Sequence, residues 1–265
     1  MAERLRVLTL NSISAAGLKR LPADRYTVGP QVEAPDGILV RSQDMHSLEI
    51  PVSVKAIGRA GAGTNNIPVA AMSKRGAPVF NAPGANANAV KELVVAGMLM
   101  AARNLVPAIR FAEGLSGGDE EINKAVEDGK KHYAGIELPH HTLGVVGLGK
   151  IGSLVADAAI KLGMNVLGYD PEITVEAAWS LPSQVKKAHS IEEVLHNSDF
   201  VTLHVPLLDA TRNLIDARRL ALMKHGAVLL NFSRDGIVEN AAVVEALGAK
   251  RLKAYICDFP GAVFK

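Results

Sequence analysis

Residues 143–152 read Leu-Gly-Val-Val-Gly-Leu-Gly-Lys-Ile-Gly, an apolar run followed by a turn that contains Gly147, Gly149 and Gly152. The apolar run has the composition of a strand that is buried on both faces of a parallel sheet. A helical stretch then extends to Leu162, and a second strand-like run follows at residues 165–169. Strand, glycine turn, helix and strand in this order predict a βαβ unit and therefore an α/β fold.

The glycine turn has the G-x-G-x-x-G spacing of a dinucleotide-binding turn, although the spacing alone also fits a purely structural turn. Gly147 allows the tight turn, Gly149 lets backbone N–H groups approach a pyrophosphate, and Gly152 lets the helix pack closely on the sheet. The position between a strand and a helix favours the dinucleotide interpretation. The predicted cofactor contacts of the turn are Gly147, Gly149, Lys150, Ile151 and Gly152.

An acidic residue at the end of the next strand supports this prediction. Asp170 lies 18 residues after Gly152, close to the roughly 20 expected for the acid that binds the ribose hydroxyls. Its carboxylate would accept hydrogen bonds from both hydroxyls and would repel a 2′-phosphate, and no arginine follows it to bind that phosphate. The sequence therefore predicts NAD rather than NADP as the cofactor.

The alternation of short apolar runs and helices continues outward from this unit and predicts two α/β domains. Before residue 84 the strand-like runs are residues 7–10, 37–40, 54–58 and 77–80. We place the domain boundary after residue 87. Residues 88–265 then form the dinucleotide-binding domain, a doubly wound parallel sheet.

A long helix is predicted over residues 88–113, with a bend near Pro107. It carries apolar residues on nearly every face, so we expect it to pack on several sides and to contribute to a subunit interface. A polar connection with one short helix is predicted over residues 116–132. The predicted fold class is two Rossmann-like domains linked by the long helix.

Composition excludes several classes of function. Among 265 residues, Lys and Arg number 29 and Asp and Glu 27, without five consecutive like charges, so no nucleic-acid partner is expected. The single cysteine, Cys257, rules out a disulfide framework and a multi-thiolate metal site. The longest apolar run, residues 93–102, has about half of the roughly 20 residues of a membrane span. We see no export signal and expect a cytoplasmic protein without a membrane partner.

Further motifs follow one another along the chain in a recognisable order. The second half contains the glycine turn, Tyr169-Asp-Pro171, His204-Val-Pro-Leu207 and Asn231-Phe-Ser-Arg-Asp-Gly-Ile-Val238. The first half contains Gly58-Arg-Ala-Gly-Ala-Gly-Thr-Asn-Asn66 and Asn81-Ala-Pro-Gly-Ala-Asn86. Together these motifs resemble the D-isomer-specific 2-hydroxyacid dehydrogenases, and those of the first half are most similar to the branch that oxidises 3-phosphoglycerate. The resemblance also implies a homodimer or homotetramer.

The resemblance implies roles for residues of the second domain. Arg234 matches the arginine that pairs with the substrate carboxylate and polarises the reacting carbonyl, a task suited to a planar, permanently charged guanidinium. A surface ion pair is the alternative for this residue. The residues implied to line the cofactor are Val205, Phe232, Ser233, Arg234 and Asp258.

The first domain is implied to be a flavodoxin-like, substrate-binding domain. Arg41 and Ser42 match a turn that holds the phosphate or carboxylate of the substrate, although an ordinary surface turn fits these residues as well. Gly84 and Asn86 are the implied substrate contacts in the loop that opens the long helix, where free N–H groups can bind an anion.

One functional pair implied by the resemblance has no match. The family's general acid/base is a histidine paired with a carboxylate. The matching stretch should follow Asp258 by some tens of residues, whereas the last residue is Lys265. We therefore interpret the chain as a fragment, with a first domain that lacks its C-terminal return helix, and expect no turnover from it alone.

The implied function is the NAD-dependent oxidation of 3-phosphoglycerate to 3-phosphohydroxypyruvate, the first step of serine biosynthesis. Two alternatives remain open. One is a dehydrogenase or reductase of another 2-hydroxyacid, such as glycerate or lactate, which needs no phosphate pocket. The other is a binding module that senses NAD without catalysis.

Overall fold

The computed structural model describes residues 4–259 and 261–264. It contains two parallel sheets, each in its own unit, and the units are Met1–Asn86 and Ala87–Lys265. The division lies one residue before the boundary that the sequence predicted. Parallel sheets in both units confirm the α/β fold class, because parallel strands need crossover connections that cover the sheet faces.

The first unit is a five-stranded sheet with two short helices. Its strands are β1 (Leu5–Leu10), β2 (Tyr26–Gly29), β3 (Gly37–Val40), β4 (Ala56–Arg59) and β5 (Val79–Asn81), and its helices are α1 (Ala15–Leu18) and α2 (Val69–Lys74). The strand order β2-β1-β3-β4-β5 is that of flavodoxin-like sheets, in which the chain changes direction between β1 and β3. Ile38, Val40 and Ile57 on the central strands pack with Met45 and Met72 in its core.

The second unit is a six-stranded sheet with helices on both faces. Its strands are β6 (Thr142–Val146), β7 (Asn165–Tyr169), β8 (Val185–Lys187), β9 (Phe200–Leu203), β10 (Ala227–Asn231) and β11 (Leu252–Cys257). Its helices are α3 (Ala87–Ala102), α4 (Leu105–Glu113), α5 (Asp119–Gly129), α6 (Lys150–Lys161), α7 (Val175–Trp179), α8 (Ile191–Asn197), α9 (Ala217–Leu220) and α10 (Asn240–Gly248). The order β11-β10-β9-β6-β7-β8 is the Rossmann order, and the chain changes direction between β6 and β9.

Burial explains why the quoted stretch forms these elements. Leu143 and Val145 on β6 are fully buried, as expected for a central strand with helices on both faces. Val155, Ala156 and Ala159 line one face of α6 and are fully buried in the same hydrophobic cluster. Burial of each larger side chain stabilises the fold by about 1.5–3 kcal/mol, so the helix is held against the sheet rather than by its own propensity.

The long helix predicted over 88–113 is bent as expected, and the break lies at Asn104, three residues before Pro107. Helices α3 and α4 meet at an angle of 65°, and Asn104 between them has a left-handed backbone conformation (φ 52°, ψ 37°). Pro107 lies in the first turn of α4, where its missing N–H is not needed. Within residues 4–259 and 261–264, no single helix is long and apolar enough to cross a membrane; this bent pair reaches the required length and apolarity only when its two helices are taken together.

Two strands and the extent of one helix were missed by the sequence analysis. Strands β2 and β8 lie at sheet edges, are short and contain no fully buried residue, so they lack the apolar run that identifies a central strand. Helix α5 has 11 residues where one short helix was expected. Its three acidic residues in the first turn favour a helix start, a signal that the polar composition of the segment concealed.

Candidate functional site

The carboxyl edge of the second sheet collects the residues predicted to bind the cofactor. Gly147 follows β6, Asp170 follows β7, Val205 lies just after β9, Arg234 just after β10, and Asp258 directly after β11. These strands all run parallel, so their carboxyl ends share one edge of the sheet. Ligands of such sheets bind outside this edge where the chain changes direction, here between β6 and β9.

The glycine turn has the shape of a phosphate-binding turn. Gly147 has φ +93°, and a Cβ atom there would lie 2.6 Å from the carbonyl oxygen of His204. A Cβ atom on Gly152 would lie 1.9 Å from the carbonyl oxygen of Gly147, so helix and turn meet backbone to backbone. Above Gly149 there is open space, and Gly149 immediately precedes α6, whose first N–H groups have no partner within the helix. A dinucleotide pyrophosphate fits these features.

Lys150 and Ile151 are the first two residues of α6 and complete the turn. Lys150 is exposed, whereas Ile151 is half-buried and packs against the hydrophobic cluster around α6. Their contribution to an anion at this helix start would come from backbone N–H groups and from the Lys150 ammonium.

The Asp170 carboxylate is held in place by the backbone. Its Oδ2 atom accepts a hydrogen bond from the N–H of Leu148 at 2.8 Å, and its Oδ1 atom accepts one from the N–H of Glu172 at 2.9 Å. Each oxygen keeps one lone pair for a further donor. The first bond ties the carboxylate to the glycine turn, so a carboxylate with free lone pairs lies beside that turn.

The loop after β10 is organised by a fully buried asparagine. The Asn231 Oδ1 atom accepts a hydrogen bond from the N–H of Ser233 at 3.1 Å, and its Nδ2 atom donates to the carbonyl oxygen of Arg234 at 2.9 Å. The Ser233 hydroxyl donates to the carbonyl oxygen of Leu203 on β9 at 2.6 Å. These bonds fix the backbone on both sides of the Arg234 side chain.

The Arg234 side chain is exposed at this edge. Its Nη1 atom donates to the carbonyl oxygen of Ser233 at 2.6 Å. In the part of the chain that the structure describes, no carboxylate lies within 4 Å of its guanidinium. The guanidinium therefore keeps most of its donors for a carboxylate ligand.

The other predicted cofactor residues differ in what they expose. Phe232 has only 9% of its surface exposed and packs in the hydrophobic cluster with Val94 and Met98 of α3, so its backbone is the part left for a ligand. Val205 is half-buried and packs against a different hydrophobic cluster, which contains Leu203 and Ile215. Asp258 is exposed at the end of β11.

His204 is the histidine nearest to this edge, and its environment disfavours proton exchange. Its Nε2 atom lies 3.0 Å from the Thr202 hydroxyl, and its Nδ1 atom is buried without a hydrogen-bond partner among the described residues. Burial lowers the pKa of His204 to about 4. The ring is therefore neutral near pH 7, which suits a packing role behind the glycine turn.

The predicted substrate residues lie in the first unit. Arg41 and Ser42 follow β3 and are exposed, next to the point where the chain changes direction between β1 and β3. The Asn11 Oδ1 atom, at the end of β1, accepts hydrogen bonds from the N–H groups of Ser42 and Gln43. The Asn66 Nδ2 atom donates to the carbonyl oxygen of Gln43 at 2.7 Å. The turn is thus clamped from two sides.

Gly84 and Asn86 follow β5 in the loop that leads into α3. Gly84 has φ +83° and is half-buried, and Asn86 is exposed. A cavity of about 160 Å³ opens near this loop, lined by Leu39, Arg59, Phe80 and Asn81 among others. Neither Gly84 nor Asn86 lines that cavity.

Asn231 and Asn11 are positioning residues to which the sequence alone gave no role. Asn231 is the last residue of β10, whereas Asn11 directly follows β1 and has φ 64°, a conformation in which asparagine is enriched. An asparagine immediately after an apolar run was the available signal, because its side chain can bond to the backbone a residue or two further on.

We expect Asn231→Ala to lower the free energy of unfolding by about 1–3 kcal/mol, because it leaves buried backbone groups of the Arg234 loop without partners. Urea unfolding of the variant measures this change. Asn197→Ala is the matched control, since Asn197 is exposed and donates only to the Glu193 carbonyl oxygen of its own helix. A change below about 0.5 kcal/mol, the usual effect at a surface site, would contradict the role given to Asn231.

Comparison with known proteins agrees with this geometry. Residues 95–261 match the family model described as D-isomer specific 2-hydroxyacid dehydrogenase, NAD binding domain. The chain is 40% identical over 211 residues to the D-3-phosphoglycerate dehydrogenase of Methanocaldococcus jannaschii, covering 80% of this chain and 38% of that protein. It is 34% identical over 207 residues to the hydroxypyruvate reductase of Thermotoga maritima, covering 78% of this chain and 62% of that protein.

The structural comparison gives the same family. The crystal structure of D-lactate dehydrogenase with NAD⁺ from Lactobacillus jensenii matches with a TM-score of 0.74 and 25% identity, covering 96% of this chain and 78% of that one. The chain spans about two fifths of the length of the curated D-3-phosphoglycerate dehydrogenases that it matches. By the match over 95–261, which takes in the glycine turn, Asp170 and Arg234, the chain belongs to the D-isomer-specific 2-hydroxyacid dehydrogenase family and carries its NAD-binding domain.

Proposed function

We propose that this chain forms the NAD site and part of the substrate site of a dehydrogenase that oxidises 3-phosphoglycerate to 3-phosphohydroxypyruvate, the first step of serine biosynthesis. The observation that carries the proposal is the position of Arg234. The Arg234 guanidinium lies on the same sheet edge as the glycine turn and Asp170, and among the described residues no carboxylate lies within 4 Å of it. The names of the Methanocaldococcus jannaschii relative and of other matched proteins support the choice of substrate.

The residues of the second unit divide the work of binding and charge stabilisation. NAD, when bound, supplies the chemistry by accepting a hydride from C2 of the substrate. Gly149 and the start of α6 would hold its pyrophosphate, and Asp170 its ribose hydroxyls. Arg234 would pair with the substrate carboxylate and stabilise the negative charge that develops on the C2 oxygen.

Two further parts of the proposal concern the groups that bind the substrate and the group that would exchange a proton with its hydroxyl. In the first unit, Arg41 and Ser42 are the proposed ligands of the substrate phosphate, with Gly84 and Asn86 as further substrate contacts. Proton exchange is assigned to none of the described residues, because the neutral, buried ring of His204 does not suit it. That the chain alone does not turn over stays a prediction, which the turnover assay below tests.

A subunit interface on helices α3 and α4 is part of the same proposal. These helices expose large apolar side chains on neighbouring turns, and Ile109 is 54% exposed. The other exposed members are Leu93, Leu99, Met100, Leu105 and Val106. Apolar surface of this extent fits a homodimer or homotetramer. A reducing, cytoplasmic location fits the single cysteine.

A second candidate is a reductase of a non-phosphorylated 2-hydroxyacid. The match to the Thermotoga maritima hydroxypyruvate reductase, which covers 62% of that protein, favours it. The same NAD site would serve both reactions, so the phosphate distinguishes them.

The test is a calorimetric titration of the chain with NADH and then with 3-phosphoglycerate, D-glycerate and D-lactate, beside a turnover assay of each. We expect micromolar NADH binding, 3-phosphoglycerate binding stronger than that of the other two acids, and no turnover by the chain alone. Equal binding of D-glycerate would favour the second candidate. Absence of NADH binding by the folded chain would refute the proposal as a whole.

A further inference from the structure

A cavity of about 210 Å³ lies at the amino edge of the second sheet, opposite the edge that carries the NAD site. His141 precedes β6, Phe200 begins β9, His225 precedes β10 and Lys253 belongs to the start of β11. Because these strands are parallel, their amino ends meet at one edge. A strand of five residues spans roughly 16 Å, so the length of a strand separates the cavity from the glycine turn. We call this cavity the amino-edge pocket.

The single carboxylate that lines the amino-edge pocket, Asp199, is already paired with a lysine. Asp199 Oδ1 accepts a hydrogen bond from the Lys224 ammonium at 2.9 Å, and Asp199 Oδ2 accepts one from the N–H of Thr142 at 2.8 Å. Burial opposes ionisation of this carboxyl, but the Thr142 N–H and the Lys224 ammonium outweigh it and hold the pKa of Asp199 below its usual range. Asp199 therefore stays ionised and offers the pocket no free negative charge.

The remaining polar groups of the pocket are cationic groups and imidazoles. Lys224 keeps two further N–H donors beyond its bond to Asp199. Lys253 and His225 have no carboxylate partner within 4 Å among the residues that the structure describes. The Nδ1 atom of His141 is buried and lacks a hydrogen-bond partner in the same part of the chain. That nitrogen has no accessible surface, so a ligand in the pocket would contact His141 through the other ring nitrogen, Nε2.

We propose that the amino-edge pocket binds a small phosphate-bearing ligand, held by Lys224, Lys253, His225 and His141. Two ammonium groups against one engaged carboxylate leave a net positive charge for an anion. Four side chains that can donate hydrogen bonds match the several acceptor oxygens of a phosphate. The volume is far above what one water molecule needs and is below the usual range for drug-sized ligands, which fits a phosphate group with at most a short organic part.

The consequence is a second anion site that is independent of the NAD site. A ligand there bridges the ends of β6, β9, β10 and β11, whose carboxyl ends carry the cofactor residues. It also contacts the strand ends without contacting Gly149 or Arg234.

The test follows the histidine ring signals in ¹H–¹⁵N spectra of the whole chain while inorganic phosphate is added at constant pH and ionic strength. His141→Gln and His225→Gln assign the two ring signals. We expect both to shift in a saturable manner at millimolar phosphate, with or without saturating NADH. Methyl phosphate distinguishes a free phosphate from a phosphate ester: binding of both indicates that an ester is accepted, and binding of phosphate alone restricts the ligand to the free ion.

Lys253→Ala is the variant that tests the contact, because it removes one cation from the pocket without touching the Asp199–Lys224 pair. We expect it to weaken phosphate binding by about tenfold or more, the usual effect of losing a hydrogen bond to a charged group. Lys187→Ala on β8 is the matched control, an exposed lysine on the opposite edge strand, and should leave binding unchanged. Ring signals that do not saturate with phosphate, or equal affinity of the Lys253→Ala variant, would overturn the proposal.

Discussion

Arg234→Ala is expected to lower turnover of 3-phosphoglycerate by about 10²–10³-fold, the range for loss of one preorganised charge-stabilising group, while NADH affinity stays nearly intact. The guanidinium is exposed at the carboxyl edge, and its Nη1 atom donates to the carbonyl oxygen of its neighbour Ser233. Its removal therefore takes a bidentate hydrogen-bond donor from the substrate carboxylate, while the glycine turn and Asp170 stay unchanged.

Two measurements separate this effect from damage to the fold. Binding of 3-phosphoglycerate in the presence of NADH is measured by calorimetry, and turnover is measured in the same protein wherever the native chain shows it. Arg234→Lys keeps the charge but loses the planar fork, so it should restore substrate binding only in part. Arg218→Ala is the control, since Arg218 on α9 forms an exposed ion pair with Glu192 on α8 and is not part of the loop after β10. Unaltered substrate binding in Arg234→Ala would end the assignment of this residue.

Gly152→Ala and Gly149→Ala are expected to weaken NADH binding for two different reasons. The new methyl group at residue 152 would lie 1.9 Å from the Gly147 carbonyl oxygen, a backbone atom that cannot rotate away. Helix α6 must then shift from the turn, and we expect stability to fall by about 3 kcal/mol, the upper end for an overpacked core. NADH binding should be lost with it.

The methyl group at residue 149 meets no atom within 4 Å, and φ −71° is allowed for alanine. The free energy of unfolding should fall by no more than about 1 kcal/mol, the typical cost of alanine at a helix N-cap. The methyl group would nevertheless occupy the space above the first N–H groups of α6. We expect NADH affinity to fall by roughly 10–100-fold, as when a hydrogen bond to a charged group is lost.

The pair of variants distinguishes a binding turn from a structural one. Urea unfolding and NADH titration of both proteins are the measurements. If the turn is purely structural, Gly149→Ala will leave NADH affinity unchanged. Undiminished NADH affinity in Gly149→Ala would therefore contradict the use of this turn for the cofactor, whatever Gly152→Ala does.

Much of the second unit could be predicted because its signals are local. The strand before Gly147, the helix start after Gly149 and the acid at Asp170 lie within one short stretch, and each follows from the chemistry of its own neighbours. The edge strands β2 and β8 could not be predicted in this way, because their pairing with a neighbouring strand, rather than their own composition, makes them strands.

The bend of the long apolar segment shows a competition between two local signals. Pro107 was the obvious breaker, but a proline in the first turn of a helix removes no hydrogen bond. Asn104 adopts the left-handed conformation instead, and its Nδ2 atom donates to the carbonyl oxygen of Ala134 at 2.8 Å. That partner is 30 residues away in the sequence, so only the folded chain selects the position of the break.

The sequence by itself determined the α/β class, the order of the motifs and the dinucleotide-binding turn, because backbone sterics and hydrophobic periodicity act over a few residues. The tertiary structure alone decided which groups meet across strands. It turned the Phe232 side chain into the core, made Asn231 the support of the Arg234 loop, and gathered His141, His225 and Lys253 at one sheet edge. Those contacts join residues far apart in the chain, and the parallel strand order sets them.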